Sequence, residues 1–173
     1  MTRTILLVGC GNMGFAMLQG WIARGDMEFH VVEPVDALRA RAQQAGASVW
    51  TAADELPADL EPELIFLAVK PQVMGEVAPH YQRFAGGPAT FVSVAAGVTI
   101  ATLSVLLPGS TPIIRCMPNT PASIGRGQMV STANDLVSDD AKRMATELLA
   151  ATGETAWIGD DALKDAVTAI SAS

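Results

Sequence analysis

Cysteine is scarce in this sequence, and its scarcity excludes two kinds of stabilising site. Cys10 and Cys116 are the only cysteines in 173 residues, so the chain has neither a disulfide framework nor the ligand spacing of a structural zinc site. We expect both to be small buried residues of a reduced protein.

Long apolar runs are also missing. No run approaches the roughly 20 residues that a membrane-spanning helix needs. The N-terminus carries one arginine and then a strand-like run, which differs from a secretory signal. We therefore expect a cytoplasmic location and no membrane partner.

Positive charge is low as well. Eleven lysines and arginines against eighteen acidic residues give a net charge of −7, which argues against a nucleic-acid partner. Half of the residues are hydrophobic and 17% are charged, a composition that predicts a globular chain with a sizeable core.

The motifs of hydrolytic and metal-dependent catalysis are absent from the sequence. It shows no Ser-His-Asp or Cys-His arrangement, no carboxylate pair typical of glycoside hydrolysis, no metal motif and no Gly-Lys-Ser/Thr of a Walker A loop. His30 and His80 have no nucleophile or metal ligand near them in sequence, so we interpret both as structural. No catalytic residue is predicted.

The most informative stretch that is present lies at the start of the chain. Residues 4–8 are an aliphatic run typical of a buried strand, and the pattern G-x-G-x-x-G follows directly. Gly9 would permit the turn out of the strand, Gly11 would let a pyrophosphate reach the backbone, and Gly14 would let the next helix approach the strand. The N–H groups at the start of that helix would bind the phosphates.

Strand-like and helix-like segments then alternate along the chain. Further strands are predicted at 29–33, 48–50, 64–69, 89–95, 112–117, 128–133 and 156–158. This alternation predicts an α/β fold, a doubly wound and mostly parallel Rossmann-type sheet with helices on both faces. We assign residues 1–159 to this dinucleotide-binding domain and residues 160–173 to the start of a connecting helix.

Glu33 ends the second predicted strand, nineteen positions after Gly14. A carboxylate there can accept hydrogen bonds from the adenosine ribose hydroxyls, which favours NADH over NADPH. The alternative is an exposed acid that the dipole of the next helix stabilises. Arg39 and Arg41, just beyond, could still neutralise a 2′-phosphate.

Two further segments end predicted strands at the same edge of the sheet. Lys70 and Pro71 end the buried run 64–69, so Lys70 is a candidate for binding cofactor phosphates, ribose or nicotinamide; the alternative is a solvated loop lysine. The small residues 95–97 leave room for a flat nicotinamide ring, or form a plain turn.

Four motifs together resemble the pyrroline-5-carboxylate reductases. They are residues 9–14 (GCGNMG), 68–71 (AVKP), 93–99 (SVAAGVT) and 117–121 (MPNTP), in the order and spacing of that family. The resemblance implies reduction of 1-pyrroline-5-carboxylate to L-proline with NADPH or NADH, the last step of proline biosynthesis. A small cyclic imine is then the expected partner.

The resemblance also implies roles for individual residues. The pyrophosphate would be held by the glycine loop, which comprises Gly9, Gly11, Asn12, Met13 and Gly14. The nicotinamide would be bordered by Val69, Lys70, Pro71, Ala95, Ala96 and Gly97. Two residues would lie near the reacting carbon, namely Asn119 and Thr120. A protonated cyclic imine is already an electrophile, so the enzyme would act chiefly by positioning.

The chain departs from the family in two places. Members commonly use NADPH, whereas Glu33 favours NADH. Members also continue into a helical domain that builds the dimer and contacts the substrate carboxylate, and residues 170–173 resemble the start of the segment leading to it. We therefore expect this chain to bind the cofactor but reduce the imine poorly, and to form a homo-oligomer only with that domain.

Two other classes of function remain open. One is another reductase on a similar scaffold, of the β-hydroxyacid dehydrogenase or deazaflavin-dependent type, against which the motif at 117–121 weighs. The other is a non-catalytic nucleotide-binding module, which would bind NAD(H) without turnover.

Overall fold

The computed structural model describes residues 2–118 and 127–159, and in these residues eight strands form one sheet. The strands are β1 (Arg3–Val8), β2 (Met27–Val32), β3 (Ser48–Trp50), β4 (Leu64–Leu67), β5 (Thr90–Ser93), β6 (Ile113–Pro118), β7 (Gly127–Ala133) and β8 (Gly153–Trp157). The α-helices are α1 (Asn12–Ile22), α2 (Asp36–Ala45), α3 (Met74–Val77), α4 (Ile100–Leu106) and α5 (Asp139–Leu149). Short 3₁₀ helices span Ala53–Glu55, Pro71–Val73 and Ala78–Phe84.

The strand order is β3-β2-β1-β4-β5-β6-β7-β8. All neighbours from β3 across to β6 pair in parallel, β7 runs antiparallel to β6, and β8 is parallel to β7. From β1 the chain adds β2 and β3 on one side of the sheet and β4 to β6 on the other. The strand order therefore reverses between β1 and β4, and open α/β sheets bind ligands at such a point. The predicted doubly wound, mostly parallel Rossmann-type fold is confirmed.

Both faces of the sheet are covered, which explains why its central strands are continuous apolar runs. Along β1, Ile5 and Leu7 pack into one hydrophobic cluster while Leu6 and Val8 pack into the other. The first cluster lies under α1 and α5, where the buried Trp21 donates a hydrogen bond from Nε1 to the Leu148 carbonyl oxygen at 2.8 Å. Two-sided burial of this kind is the rule for parallel strands.

The helix boundaries follow local chemistry. The hydroxyl oxygens of Thr99 and Ser138 cap α4 and α5 by accepting hydrogen bonds from Thr102 N and Ala141 N, each at 3.1 Å. Gly46 ends α2 with a φ of 118°. Serine and threonine are favoured at the start of a helix and glycine just after its end, so these boundaries follow from residue type.

Some predicted elements are shorter than expected. The run 64–69 forms a strand only as far as Leu67, and the run 89–95 only as far as Ser93. By contrast, Pro79 predicts a broken helix between Met74 and Tyr81, and this prediction is confirmed: α3 ends at Val77 and a 3₁₀ segment containing Pro79 follows. Residues 160–173 lie outside the described residues, so the domain boundary at residue 159 stays a prediction.

Among the described residues, no helix has the length and apolar character to cross a membrane. Both cysteines are buried, as expected.

Candidate dinucleotide-binding site

The carboxyl ends of β1, β2 and β4 surround a cavity of about 770 Å³. Five predicted site residues line it, namely Gly9, Gly11, Glu33, Val69 and Lys70. The cavity therefore lies where the strand order reverses, at the position that the glycine pattern indicates.

Two glycines of the loop are required by packing. Gly9 has a φ of 88°, and a Cβ there would lie 2.6 Å from the Ala68 carbonyl oxygen at the end of β4. A Cβ on Gly14 would lie 2.5 Å from the Gly9 carbonyl oxygen and 3.6 Å from the Ala68 Cβ. Gly14 thus allows the start of α1 to pack closely against the loop that follows β1 and near Ala68, which follows β4.

Gly11 has a different environment, which fits a bound pyrophosphate. A Cβ added to Gly11 would meet no protein atom within 4 Å, and Gly11 lines the cavity. It is also the N-cap of α1, and no side chain caps the first N–H groups of that helix. A helix start left uncapped beside a glycine cradle is suited to bind a phosphate group. Asn12 and Met13 open α1 next to this cradle, Asn12 exposed and Met13 half-buried.

Glu33 is buried, with 6% of its surface exposed, and still lines the cavity. Its Oε2 accepts a hydrogen bond from Cys10 N at 2.7 Å, and its Oε1 accepts one from Val35 N at 3.0 Å. The carboxylate therefore joins the glycine loop to the turn after β2. Burial contradicts the alternative of an exposed acid, although the hydrogen bond from Val35, the N-cap of α2, does place the carboxylate at the start of that helix.

Arg39 and Arg41 point their guanidinium groups at protein partners, and neither lines the cavity. Arg39 donates to the carbonyl oxygens of Glu33 and Pro34 at 3.0 and 3.2 Å and to Asp36 Oδ1 at 2.6 Å. Arg41 donates to the Cys10 carbonyl oxygen at 3.1 Å, and its guanidinium lies 4.2 Å from the centre of the Phe15 ring. The structure thus does not bring these arginines to the cavity as possible phosphate ligands.

The remaining predicted residues divide into two groups. Pro71 starts a 3₁₀ turn and is exposed beside Lys70. Ala95 is buried and Ala96 and Gly97 are exposed where the chain leaves β5, next to the end of β4 but outside the cavity lining. Gly97 has a φ of 74° in open surroundings. Asn119 and Thr120 lie outside the described residues.

The structure adds cavity residues that the sequence did not single out. His80, interpreted above as structural, is exposed on the cavity wall beside the buried Tyr81. Burial raises the pKa of the Tyr81 hydroxyl, so this ring presents a neutral surface. No sequence pattern marks these residues, because the broken helix that carries them reaches the cavity only through tertiary packing.

His30 does have a structural environment, as predicted. Its Nδ1 accepts a hydrogen bond from Trp50 Nε1 at 3.1 Å, its Nε2 lies 2.9 Å from Glu28 Oε1, and the two rings stack. Within the described part of the chain, no cluster of three His, Cys, Asp or Glu side chains is arranged to hold a metal ion.

A family model described as "NADP oxidoreductase coenzyme F420-dependent" matches residues 4–97, which is more than half of the chain. The matched stretch contains β1 except for Arg3, all of β2 to β5 and the whole lining of the cavity. The chain belongs to this family. A nicotinamide dinucleotide is thereby confirmed as the class of cofactor.

Relatives with a more specific name match nearly the whole chain. A pyrroline-5-carboxylate reductase of Haemophilus influenzae is 33% identical over 171 residues, which cover 99% of this chain and 63% of the relative. The structure of a pyrroline-5-carboxylate reductase from Coxiella burnetii superposes with a TM-score of 0.91 at 26% identity, over 99% of this chain and 64% of that one.

A third comparison shows the fold alone. The Plasmodium falciparum pyrroline carboxylate reductase structure, which has NADP bound, superposes with a TM-score of 0.80 at 22% identity over 98% of this chain and 62% of that chain. The resemblance seen in the four motifs is confirmed by these matches. The chain spans less than two thirds of the length of each.

Proposed function

We propose that this chain is the cofactor-binding part of a pyrroline-5-carboxylate reductase. The observation that carries the proposal is the cavity at the reversal of strand order, with an uncapped helix start and a glycine cradle on its wall. The relatives that match 99% of the chain support the choice of substrate. The reaction is reduction of a small cyclic imine to L-proline, and we place it in the cytoplasm.

The described residues would divide the cofactor between them. Gly11 and the start of α1 would face the pyrophosphate, Glu33 would face the adenosine ribose, and segments 69–71 and 95–97 would border the nicotinamide. When bound, the cofactor supplies the hydride. The chain binds and orients it, and the buried strands beneath keep water from one side of the site.

Positioning accounts for most of the expected rate enhancement. The substrate's imine carbon is electrophilic once its nitrogen is protonated, so a strong acid on the protein is not required. Holding two reactants in a near-attack geometry can supply about 7 kcal/mol or more of the barrier reduction. Asn119 and Thr120 remain the residues proposed to lie near the reacting carbon.

The decisive experiment separates cofactor binding from turnover. We would titrate the chain with NADH and NADPH by nicotinamide fluorescence, then assay oxidation of each with 1-pyrroline-5-carboxylate. The same assay would use the chain joined to the C-terminal part of the Haemophilus influenzae reductase, with that whole reductase as positive control. We expect saturable binding by both proteins, strong turnover by the joined protein and at most a few per cent of that rate by the chain alone.

Each other outcome has a definite meaning. Cofactor binding without turnover by the joined protein would favour a non-catalytic nucleotide-binding module. Turnover only with an oxidised deazaflavin in place of the imine as the hydride acceptor would favour the second half of the family's description. Full activity of the chain alone would contradict the need for a further domain in substrate reduction and oligomer formation.

A further inference from the structure

The carboxylate of Glu33 is fixed in place at the cavity wall. One oxygen accepts from Cys10 N and the other from Val35 N, so rotation of the side chain would leave two N–H groups without their partner. Each carboxylate oxygen can accept more than one hydrogen bond. The group can therefore still accept a hydrogen bond from a ribose hydroxyl, whereas the oxygens of a 2′-phosphate are themselves acceptors and would be repelled.

The two arginines of α2 lie near Glu33, and one of them donates to its carbonyl oxygen, but both are engaged by protein groups and neither lines the cavity. Arg39 is bound to two carbonyl oxygens and to Asp36, and Arg41 is bound to the Cys10 carbonyl oxygen and the Phe15 ring. Among the described residues that line the cavity, Lys70 is the only lysine or arginine.

The position of Lys70 makes it a poor counter-charge for a phosphate beside Glu33. Lys70 follows β4 and Glu33 follows β2, and both strands flank β1. Two strand spacings place the backbones about 9 to 10 Å apart. Glu33, Asp54 and Glu76 all line the cavity, so its acidic side chains outnumber its one lysine.

We propose that Glu33 is the specificity-determining residue of this cavity and that it selects NADH over NADPH by excluding the 2′-phosphate. The inference rests on the proposed cofactor site but not on the proposed substrate. A preference for NADH would also differ from the NADP that is named in the description of the family.

The test measures binding and needs no turnover. The chain is titrated with NADH and with NADPH, and we expect the Kd for NADH to be at least tenfold lower, a difference of about 1.4 kcal/mol. Glu33→Gln keeps the size and one acceptor oxygen while removing the charge, and we expect it to reduce the ratio of the two Kd values to below about three, chiefly by tighter NADPH binding.

A matched control distinguishes Glu33 from the general charge of the cavity. Glu76→Gln also removes one carboxylate from the lining, and we expect the ratio of Kd values to stay within about twofold of the original. An equal change in both variants would overturn the assignment to Glu33. NADPH binding as tight as NADH binding in the unaltered chain would overturn the proposal itself.

A second measurement uses only the unaltered chain, in case Glu33→Gln does not fold. Adenosine 5′-monophosphate and adenosine 2′,5′-bisphosphate are compared as competitors for bound NADH. We expect the first to displace it at a concentration at least tenfold lower, and the reverse order would refute the proposal. If the chain does not reduce the imine, the ratio of Kd values and the ratio of competitor concentrations can still be measured. If it binds neither NADH nor NADPH, the proposed cofactor site and this inference are both contradicted.

Discussion

Two parts of the cavity edge are built in opposite ways. At the first, which we term the β2 corner (Gly9, Cys10, Glu33, Val35, Arg39 and Arg41), a buried carboxylate and two arginines form hydrogen bonds with the backbone of neighbouring loops. At the second, the β4–β5 edge (residues 69–71 and 95–97), the side chains are small or exposed, and Gly97 has open space around its Cα.

The difference follows from what each part would have to recognise. The adenosine half of a dinucleotide takes no part in the reaction, so a preorganised corner can bind it in one conformation at low entropic cost to the protein. The nicotinamide half must share its space with a substrate, and bulky or tightly bonded side chains would fill that space. The comparison predicts that substitutions at the β2 corner reduce stability, whereas those at the β4–β5 edge act mainly on binding.

The largest contrast is expected between two glycines with similar backbone angles. Gly9→Ala places a Cβ 2.6 Å from a backbone oxygen at a φ of 88°, so we expect it to lower the free energy of unfolding by about 3 kcal/mol or more. Gly97→Ala, at a φ of 74° in open space, should cost about 1 kcal/mol. Urea unfolding of both variants measures the difference, and equal costs would show that the two regions are not distinct.

A second contrast concerns the polar residues of the two regions. Glu33→Ala leaves the N–H groups of Cys10 and Val35 without their acceptor, so we expect a loss of about 2 kcal/mol. Lys70→Ala removes an exposed side chain and should change stability by less than about 0.5 kcal/mol. Thermal unfolding of the two variants measures these losses. A loss of stability in Lys70→Ala as large as that in Glu33→Ala would contradict the difference between the two regions.

The glycine cradle allows binding to be separated from folding. Gly11→Ala adds a methyl group that meets no protein atom within 4 Å, so we expect stability to change little. The same methyl group would occupy the space for the pyrophosphate, and we expect NADH affinity to fall about tenfold, or about 1.4 kcal/mol. Calorimetric titration is the measurement, with Gly75→Ala, also in open space, as the control. An unchanged NADH affinity in Gly11→Ala would show that Gly11 does not contact the pyrophosphate.

The smallest expected effect is a pH dependence of stability. Burial raises the pKa of the Cys10 thiol from 9.0 to about 11, so the folded chain keeps a proton that the unfolded chain loses. The stabilisation is fully present below pH 9 and is lost as the pH rises to 11, with a loss of about 1 kcal/mol by pH 10. Unfolding of the chain and of Cys10→Ala at pH 7 and pH 10 tests this. An identical pH dependence in both would mean that Cys10 does not contribute.

Local sequence patterns predicted the parts of the site that depend on backbone chemistry. The aliphatic run and the positive φ of Gly9 are local features of the chain, so the sequence pattern predicts them, although the close contacts of Gly9 and Gly14 with Ala68 are made across the fold. Where bonding depends on a partner far along the chain, the prediction was incomplete. Arg41 was a candidate phosphate ligand, yet it binds the Cys10 carbonyl oxygen, 31 positions away.

The sequence by itself determined the α/β class, the glycine loop and the presence of an acid after the second strand, because periodicity and steric requirement are local. Only the tertiary structure decided that Glu33 is buried between two backbone N–H groups, that the arginines turn away from the cavity, and that His80 and Tyr81 line it. These outcomes depend on how β2, β1 and β4 align and on the packing of Tyr81 into the core. No single segment encodes that alignment, since it arises from burying both faces of one sheet at once.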